Sequence, residues 1–271
     1  MGSATEVNPL LLIDGYKADH RRQYPEGTTL VYSNLTPRSS RLDGVNEIVF
    51  FGLQYFLEEY LVRRFKKHFF DRPRDEVVGE YKSVMDSYLG EGAVPVEHVG
   101  ELHDLGYLPL RIKAIREGSL TPIGVPVLTI VNTHPGFFWL TNQLETILSC
   151  SLWCGCTSAT TAYLYRKRFD QAASETGIDP GFVKFQGHDF SFRGMSSFES
   201  SCISGAAHLT SFAGTDTVPA IKFLEEYYGA NGFIGCSVPA SEHSVASLNI
   251  IHIEEELRTK GEWNGIRLED L

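Results

Sequence analysis

The chain has 271 residues, 42% of them hydrophobic, and a formal charge of −10 at pH 7. That length supplies a substantial core for one large domain or two modest ones. An acidic chain argues against a nucleic-acid partner, which would need a basic face, but a few local arginines still suffice for a phosphorylated small molecule. No apolar run approaches the roughly 18 residues of a membrane span, so we expect a soluble, cytoplasmic protein.

The five cysteines follow no disulfide or zinc spacing. Cys150, Cys154 and Cys156 lie close together, but in a segment that reads as helix and without a histidine at zinc-finger spacing. We interpret them as packed side chains rather than metal ligands, and we expect no metal site built by the chain itself.

Hydrophobic spacing divides the first part of the chain into helices and strands. Strand patterns lie at 29–33, 108–115 and 125–131. Apolar residues three and four apart predict helices at 49–69, 74–89 and 137–174. Gly90 is well placed to end the second of these helices, and 36–41 is a polar loop.

After Gly177 short apolar strands alternate with helices. Strands are predicted at 183–186, 208–212 and 233–236, and helices from about 197, at 218–228 and at 244–260. Phe185, Leu209 and Phe233 are equivalent points 24 residues apart, which is the period of a β/α-barrel unit. Three such units are present where a closed barrel needs eight. We therefore predict an α/β chain, with an N-terminal α+β domain at 1–176 and the first strands and helices of an incomplete β/α barrel at 177–271.

The chemistry-bearing residues follow the three predicted barrel strands. The loops at 188–194, 214–216 and 237–244 are rich in charged, glycine and aromatic residues. Because reacting groups in β/α architectures lie on the loops after the strand ends, these loops are expected to open on one rim. The chain contains neither a Gly-x-Ser-x-Gly elbow nor a P-loop, which argues against a serine hydrolase and excludes a P-loop kinase.

Each candidate residue also has a purely structural interpretation. Phe190 is either a stacking platform or a core side chain, and Arg193 is either a phosphate donor or a partner of Asp189. Asp216 is either a ligand-binding carboxylate or a cap of the helix that Pro219 begins. His243 is either a functional imidazole or a histidine satisfied at a helix start.

The order of these motifs resembles the nicotinamide phosphoribosyltransferase family. Its opening motif is matched by Asp14-Gly15-Tyr16-Lys17 with His20 and Gln23-Tyr24-Pro25. The matching helices are Phe50-Phe51-Gly52-Leu53-Gln54-Tyr55 and Trp139-Leu140-Thr141-Asn142 with Leu144-Glu145-Thr146-Ile147-Leu148. The barrel loops match at His188-Asp189-Phe190 with Arg193-Gly194, at Gly214-Thr215-Asp216-Thr217-Val218, and at Ser237-Val238-Pro239 with Glu242-His243-Ser244. The similarity runs from about residue 10 to 250.

The resemblance implies a type II phosphoribosyltransferase-like fold and a homodimer. It implies transfer of phosphoribose from phosphoribosyl pyrophosphate to nicotinamide, with Mg2+ bound to the substrate and ATP as a coupling substrate. Phe190 and, from the partner subunit, Tyr16 would sandwich the pyridine ring, and Asp216 would accept from its carboxamide. Arg193 and Arg38 would face the phosphates, Ser237 and Val238 would contribute to the substrate site, and His243, oriented by Glu242, would be phosphorylated.

The sequence departs from the family pattern in two ways. Ser191 and Phe192 stand where Gly-Tyr is usual, and Gly15 stands where Ser is usual; both changes look tolerable. Nothing after Leu271 supplies the later barrel strands with their phosphate loops. We therefore expect one half of a split or truncated enzyme that is inactive without a second chain. The alternatives are a non-catalytic binding or assembly module of this family, or a nicotinate-specific enzyme.

Overall fold

The computed structural model describes residues 6–270 in two compact units, one ending at Cys236 and the other beginning at Ser237. The domain boundary predicted between residues 176 and 177 lies inside the first unit and stays a prediction. Within the described range, no helix is both long and apolar enough to cross a membrane.

The N-terminal part of the first unit contains two small antiparallel sheets. One has the order β1-β5-β3 and the other pairs β2 with β4. The strands are β1 Tyr32–Leu35, β2 Glu47–Val49, β3 Leu110–Ala114, β4 Leu120–Pro122 and β5 Leu128–Asn132. The pairing of β3 with β5 confirms the strands predicted at 108–115 and 125–131.

The strand expected at 29–33 begins later, at Tyr32, because the Asn132 side chain forms hydrogen bonds with the backbone before it. Asn132 accepts a hydrogen bond from the Val31 amide at 2.8 Å and donates to the Thr29 carbonyl at 2.9 Å. The Val31 amide and the Thr29 carbonyl are therefore hydrogen-bonded outside the sheet ladder.

Helices make up most of the remaining chain. In the first unit the longer ones are Arg74–Leu89, Glu97–Leu105, Glu145–Thr176, Phe198–His208 and Val218–Tyr228. Shorter helical turns are Pro9–Leu11, Gly15–Asp19, His20–Gln23, Pro135–Phe137, Leu140–Gln143, Pro180–Val183 and Phe192–Gly194. The helix predicted at 74–89 is confirmed, and Gly90 at its end has a φ of 108°, a conformation that glycine adopts easily.

The helix predicted at 49–69 starts at Leu53, because residues 47–49 are used by β2. It continues through wide π-type turns at Phe56–Arg64 and Lys66–Phe70. Gly52 precedes it with a φ of 109°, so the chain turns from strand to helix at a residue without a Cβ.

Two hydrophobic clusters form the core. One joins Phe50, Phe51 and Phe56 from the N-terminal part to Ala206 and Phe223 on the helices that follow the barrel-like strands. The other surrounds the helix at 74–89 and includes Phe65, Phe69, Tyr81, Leu102 and Leu140. The barrel-like segment is thus packed directly on the N-terminal helices.

Parallel pairing links three short segments in the later part of the first unit. Strand β6, His188–Asp189, pairs in parallel with β7, Gly214–Thr215, and Gly214 forms a parallel bridge with Cys236. This is the expected order of three barrel-like strands. The register pairs His188 with Gly214 and Gly214 with Cys236, so equivalent points are not evenly spaced along the chain.

The predicted positions of the first two of these strands are wrong by several residues. Pro180–Val183 is a helical turn, because the Asp179 carboxylate accepts from the Gly181 amide at 2.8 Å and Pro180 favours a helix start. The second predicted strand overlaps the end of the helix Phe198–His208. The apolar residues at both places pack as helix or turn, and the strands follow them.

The second unit contains the helix His243–Lys260, the short hairpin of β8 Glu262–Trp263 and β9 Ile266–Arg267, and a final turn at Leu268–Asp270. Apolar side chains on its helix are exposed within that unit, among them Val245, Leu248, Ile250 and Ile251.

Candidate functional site

The Phe190 loop and the Asp216 loop leave adjacent parallel strands at the same edge. Phe190 follows β6 directly and Asp216 follows β7 directly. The backbone ties them together, because the Asp216 amide donates to the Asp189 carbonyl at 2.9 Å. Two of the three loops expected on one rim therefore lie together, whereas the third, 237–244, belongs to the second unit and its place on that rim stays a prediction.

His188 contacts both candidate base-binding residues. Its ring centroid lies 4.6 Å from that of Phe190 with an interplanar angle of 30°. Its Nε2 lies 3.3 Å from Oδ1 of Asp216. The His188 imidazole therefore connects the Phe190 ring to the Asp216 carboxylate.

The Asp189 side chain points to the opposite, buried side of the strand and holds the loop by a hydrogen bond. Its Oδ1 accepts from the Ser191 amide at 3.0 Å, an Asx turn that fixes the chain on either side of Phe190. Its Oδ2 is buried and has no hydrogen-bond partner among the residues described. A Cβ built at Gly205 would stand 3.2 Å from that oxygen, so the glycine lets the next helix approach the carboxylate.

Phe190 does not pack in the core. Its side chain is 67% exposed, and its ring contact is the one with His188. This exposure favours the platform over the structural interpretation of Phe190.

Arg193 is exposed on the turn Phe192–Gly194. It forms no ion pair with Asp189, and among described residues its guanidinium has no hydrogen-bond partner. The structural pairing that the sequence left open is therefore not formed. The Arg193 guanidinium is therefore available to bind an anion on the same loop as Phe190.

The helix Val218–Tyr228 begins as its sequence predicts, with Pro219 in its first turn and Gly229 at its end with a φ of 63°. Thr217, not Asp216, occupies the N-cap position, and its side chain makes no capping hydrogen bond. Asp216 instead faces His188.

Tyr16 lies on the turn Gly15–Asp19 and is 59% exposed. Its ring is 5.1 Å from that of His20. The turn is anchored because the buried Lys17 Nζ donates to Asn142 at 2.6 Å and pairs with Glu145. Tyr16 and Phe190 make no ring contact within this chain, and the proposed sandwich between two copies stays a prediction.

Gly15 occupies a crowded position on the same turn. A Cβ there would clash with the Tyr88 hydroxyl. A serine at this position would therefore need the exposed Tyr88 side chain to move.

Arg38 is exposed in the loop 36–41. The loop is held at both ends, since the Val127 amide donates to the Leu35 carbonyl at 2.9 Å and the Gly124 amide to the Pro37 carbonyl at 2.8 Å. Its guanidinium makes no ion pair with any described residue. The positive charge of Arg38 is therefore not neutralised by an ion pair within the described part of the chain.

The second unit contains the remaining candidates, Ser237, Val238, Glu242 and His243. Val238 is exposed, and the Ser237 hydroxyl donates to the Val238 carbonyl at 3.4 Å. His243 is the first residue of its helix and Glu242 is the N-cap residue. The Glu242 carboxylate accepts from the Ser244 hydroxyl, so in this structure it orients the serine rather than His243.

The family resemblance implies an Mg2+ ion that is bound to the substrate. Among residues 6–270, no three His, Cys, Asp or Glu side chains are grouped so that they could hold a metal ion. The carboxylates near Phe190 face backbone amides and an imidazole instead. Mg2+ bound to the substrate therefore stays a prediction.

Sequence reasoning missed His188 and Asp189 as site-shaping residues. The signal was present, since residues two apart on a strand share a face and His188 precedes Phe190 by two positions. The Nε2 atom of the half-buried His208 also lies 3.1 Å from the Gly214 carbonyl beside this site. Burial lowers the pKa of His208, and the charge of Asp189 opposes that shift.

Two family models match separate parts of the chain. Residues 8–97 match "Nicotinamide phosphoribosyltransferase, N-terminal domain" and residues 185–259 match the "Nicotinate phosphoribosyltransferase (NAPRTase) family". Tyr16 and Arg38 fall in the first match. The other candidate residues fall in the second.

Curated relatives cover nearly all of the chain. A nicotinamide phosphoribosyltransferase of Acinetobacter baylyi is 54% identical over 258 residues, which are 93% of this chain and 51% of the relative. One of Xanthomonas campestris pv. campestris is 35% identical over 243 residues, 88% of this chain and 48% of the relative. The chain thus spans about half the length of these relatives.

A solved structure shares the fold. The crystal structure of human nicotinic acid phosphoribosyltransferase superposes with a TM-score of 0.56 at 21% sequence identity. The match covers 88% of this chain and 40% of that one.

Proposed function

Because this chain belongs to the nicotinamide phosphoribosyltransferase family over most of its length, we propose that it supplies the base-binding half of a phosphoribosyl transfer in NAD salvage. The substrates would be nicotinamide and phosphoribosyl pyrophosphate. The products would be nicotinamide mononucleotide and pyrophosphate. The observation that carries this proposal is the exposed Phe190 ring beside the Asp216 carboxylate, both joined to His188.

The platform and the carboxylate suit a pyridine carboxamide. A flat, electron-poor ring stacks on the exposed face of Phe190, and a second aromatic face from Tyr16 of another copy would complete the sandwich. The Asp216 carboxylate would accept the carboxamide N–H, and it would repel the carboxylate of nicotinate. The ring nitrogen would then attack the sugar carbon as pyrophosphate leaves.

The cationic side chains suit the leaving group. Arg193 and Arg38 are exposed, and neither forms an ion pair with a described residue. Negative charge grows on the pyrophosphate as its bond to the sugar breaks, so preorganised guanidinium groups stabilise that charge. Mg2+ bound to the pyrophosphate would add charge neutralisation there.

His243 is proposed as the residue that receives a phosphoryl group from ATP. It begins an 18-residue helix, and the amide groups at a helix start favour an anion. A phosphorylated imidazole at this position would couple ATP hydrolysis to the transfer.

A nicotinate-specific transfer is the second candidate, because residues 185–259 match the nicotinate family model. The carboxylate of Asp216 beside Phe190 counts against it. A comparison of the two bases as substrates decides between them.

The phosphoribosyl side of the site is proposed to come from a part of the enzyme outside these 271 residues. Within the described residues, parallel pairing links three short strand segments, whereas a closed barrel of this kind needs eight. The exposed apolar residues of the helix His243–Lys260 would then be covered by the added part. A homodimer would further bring Tyr16 to a neighbouring Phe190.

The test is an assay with phosphoribosyl pyrophosphate, Mg2+ and nicotinamide. One tube contains the 271-residue chain alone, a second adds the half of the Acinetobacter baylyi relative that this chain does not match, and a third contains that half alone. We expect nicotinamide mononucleotide only in the second tube, at a rate many powers of ten above the others, because one preorganised donor alone contributes roughly 2.7–4 kcal/mol. Equal rates in the first two tubes would show that the chain needs no second half. Nicotinamide binding without product in any tube would favour a binding or assembly module.

A further inference from the structure

We propose that Lys17 is a positioning residue for the base site, because its buried ammonium group holds the ring of the neighbouring residue, Tyr16, in one orientation at the surface. This inference rests on the proposed function, in which Tyr16 of another copy completes the sandwich around the pyridine ring. Lys17 acts through Tyr16 and does not itself touch the base.

The ammonium group of Lys17 is buried, although the residue before it is exposed. The Lys17 side chain is 3% exposed, whereas Tyr16 is 59% exposed. A lysine is almost never fully buried unless its charge is paired. Here Nζ donates to the Asn142 side-chain oxygen at 2.6 Å and to the Glu145 carboxylate. Both partners lie on helices far along the chain, so the charge is fixed in place beside an exposed aromatic ring.

Lys17 contacts the Tyr16 ring directly. Its Nζ lies 5.2 Å from the ring centroid, within the roughly 6 Å over which a cation is attracted to an aromatic face. The attraction is stronger where the cation is shielded from water, as it is at this buried position. The fixed cation therefore favours one orientation of a ring that is otherwise largely exposed.

A second contact reaches the same ring through Asn142 and His20. An ammonium group only donates, so the oxygen of Asn142 faces Lys17. The Asn142 amide nitrogen then lies 2.6 Å from Nδ1 of His20. Because this amide nitrogen can only donate, Nδ1 of His20 accepts and carries no proton. The His20 ring lies 5.1 Å from the Tyr16 ring at an interplanar angle of 56°, so Lys17 orients Tyr16 through two contacts.

Two substitutions separate the direct contact from the one through His20. Lys17→Met keeps a long unbranched side chain and removes the charge, which breaks both contacts. Asn142→Asp keeps an acceptor for Lys17 and removes the donor to His20, which breaks only the second. Lys66→Met is the matched control, because Lys66 is an exposed lysine that also pairs with a carboxylate, that of Asp71.

The measurement is steady-state kinetics of the 271-residue chain assembled with the complementary half of the Acinetobacter baylyi relative. For Lys17→Met we expect KM for nicotinamide to rise about tenfold, the upper scale of one aromatic contact, with little change in kcat or in KM for phosphoribosyl pyrophosphate. The value of kcat/KM for nicotinate should fall by the same factor, because a stacking ring does not distinguish a carboxamide from a carboxylate. We expect a smaller rise in KM for Asn142→Asp and none for Lys66→Met.

A double-mutant cycle tests whether Lys17 acts through Tyr16. In a Tyr16→Ala background, Lys17→Met should have no further effect on KM for nicotinamide, because the ring that Lys17 positions is gone. A merely structural lysine would change the kinetics equally in both backgrounds. That additive result overturns the inference and leaves the proposed function standing. If the wild-type assembly makes no mononucleotide, the proposed function fails and this inference fails with it.

A second readout needs neither substrate nor assembly. In the 271-residue chain, the 15N resonances of His20 should show the Nε2–H tautomer and should change in Asn142→Asp. The 13C-labelled ring of Tyr16, assigned by the loss of its signal in Tyr16→Phe, should be less ordered in Lys17→Met than in the wild type. A Tyr16 ring that is equally ordered in the two chains, or an Nδ1–H tautomer of His20 in the wild type, would overturn the inference.

Discussion

In the proposed site, Asp216 is the functional group that would separate nicotinamide from nicotinate. Asp216→Asn replaces an acceptor that repels a carboxylate with a neutral amide that can donate to it. We expect discrimination against nicotinate to weaken by roughly 1–3 kcal/mol, the scale of one buried polar contact. Steady-state kinetics on both bases in the active assembly measures this, and an unchanged ratio of kcat/KM values would contradict it.

His243 provides a second prediction for a single residue. In the active assembly, His243→Ala should abolish acid-labile phosphorylation from ATP and lower the coupled rate, while basal transfer continues more slowly. His252→Ala is a matched control, because His252 is exposed on the same helix. Labelling with γ-phosphate-labelled ATP measures the effect, and label at the native level in His243→Ala would reject the assignment.

At the scale of elements, the start of the helix at 53–70 depends on a carboxylate from a distant turn. Glu117 accepts from the Gly52 and Gln54 amides, each at 2.6 Å, and from the Tyr228 hydroxyl at 2.9 Å. Gly52 has no side chain with which to cap the helix, so Glu117 satisfies its first amides from outside. Burial and the charge of Glu117 raise the pKa of Tyr228.

Glu117→Gln should therefore destabilise the chain by about 1.5–3 kcal/mol, because it removes the charge and replaces one acceptor with a donor. Glu101→Gln is the control, since Glu101 is exposed on the helix Glu97–Leu105 and should change stability by no more than about 0.5 kcal/mol. Urea unfolding followed by circular dichroism compares the two. Equal effects would mean that Glu117 does not cap the helix.

A second carboxylate links elements that adjoin the candidate site. Glu199, in the first turn of the helix Phe198–His208, accepts from the Tyr55 and Tyr60 hydroxyls at 2.7 and 2.8 Å. Burial, reinforced by the Glu199 charge, raises the pKa of both tyrosines. The helix that follows the Phe190 loop is thus tied to the helix at 53–70.

At the scale of the whole molecule, a buried histidine makes the fold sensitive to acid. His98 is 4% exposed, lies 4.7 Å from the Trp139 ring, and its Nδ1 has no hydrogen-bond partner among the described residues. Burial, with a contribution from the nearby charge of Arg21, lowers the pKa of His98 from 6.5 to about 4. The folded chain therefore keeps His98 neutral where the unfolded chain protonates it.

The sign of the pH effect follows from that difference. Above pH 6.5 both states hold a neutral His98, and stability is lost progressively as the pH falls from 6.5 towards 4 because the unfolded state binds the extra proton. At pH 4.5 the loss is about 2–3 kcal/mol at 1.36 kcal/mol for each pKa unit. His98→Leu, which cannot take a proton, should lose less stability than the wild type between pH 7.5 and pH 4.5. Denaturant unfolding at the two pH values measures this, and parallel losses would show that His98 is not responsible.

The sequence by itself determined the features that depend on neighbours a few residues away. Helix periodicity placed the helix at 74–89, and Pro219 with Gly229 marked the bounds of another, because capping and backbone preference act within one or two turns. The order of the three loops after short strands could also be predicted, since their charged, glycine and aromatic residues differ from the apolar segments before them. The family resemblance was carried by those same loop residues together with the opening motif and two helices of the N-terminal part.

Tertiary structure decided the features that depend on residues far apart in the chain. The first barrel-like strand begins at His188 rather than at residue 183, because parallel strands are selected by their partners and an isolated apolar run does not distinguish strand from helix. Glu117 caps a helix some 60 residues earlier, a contact that no local pattern encodes. His188 meets Asp216 because the register of β6 with β7 sets the two loops side by side. Local sequence determined the helices and the residue types of the loops. Only long-range packing and strand pairing placed those loop residues next to one another.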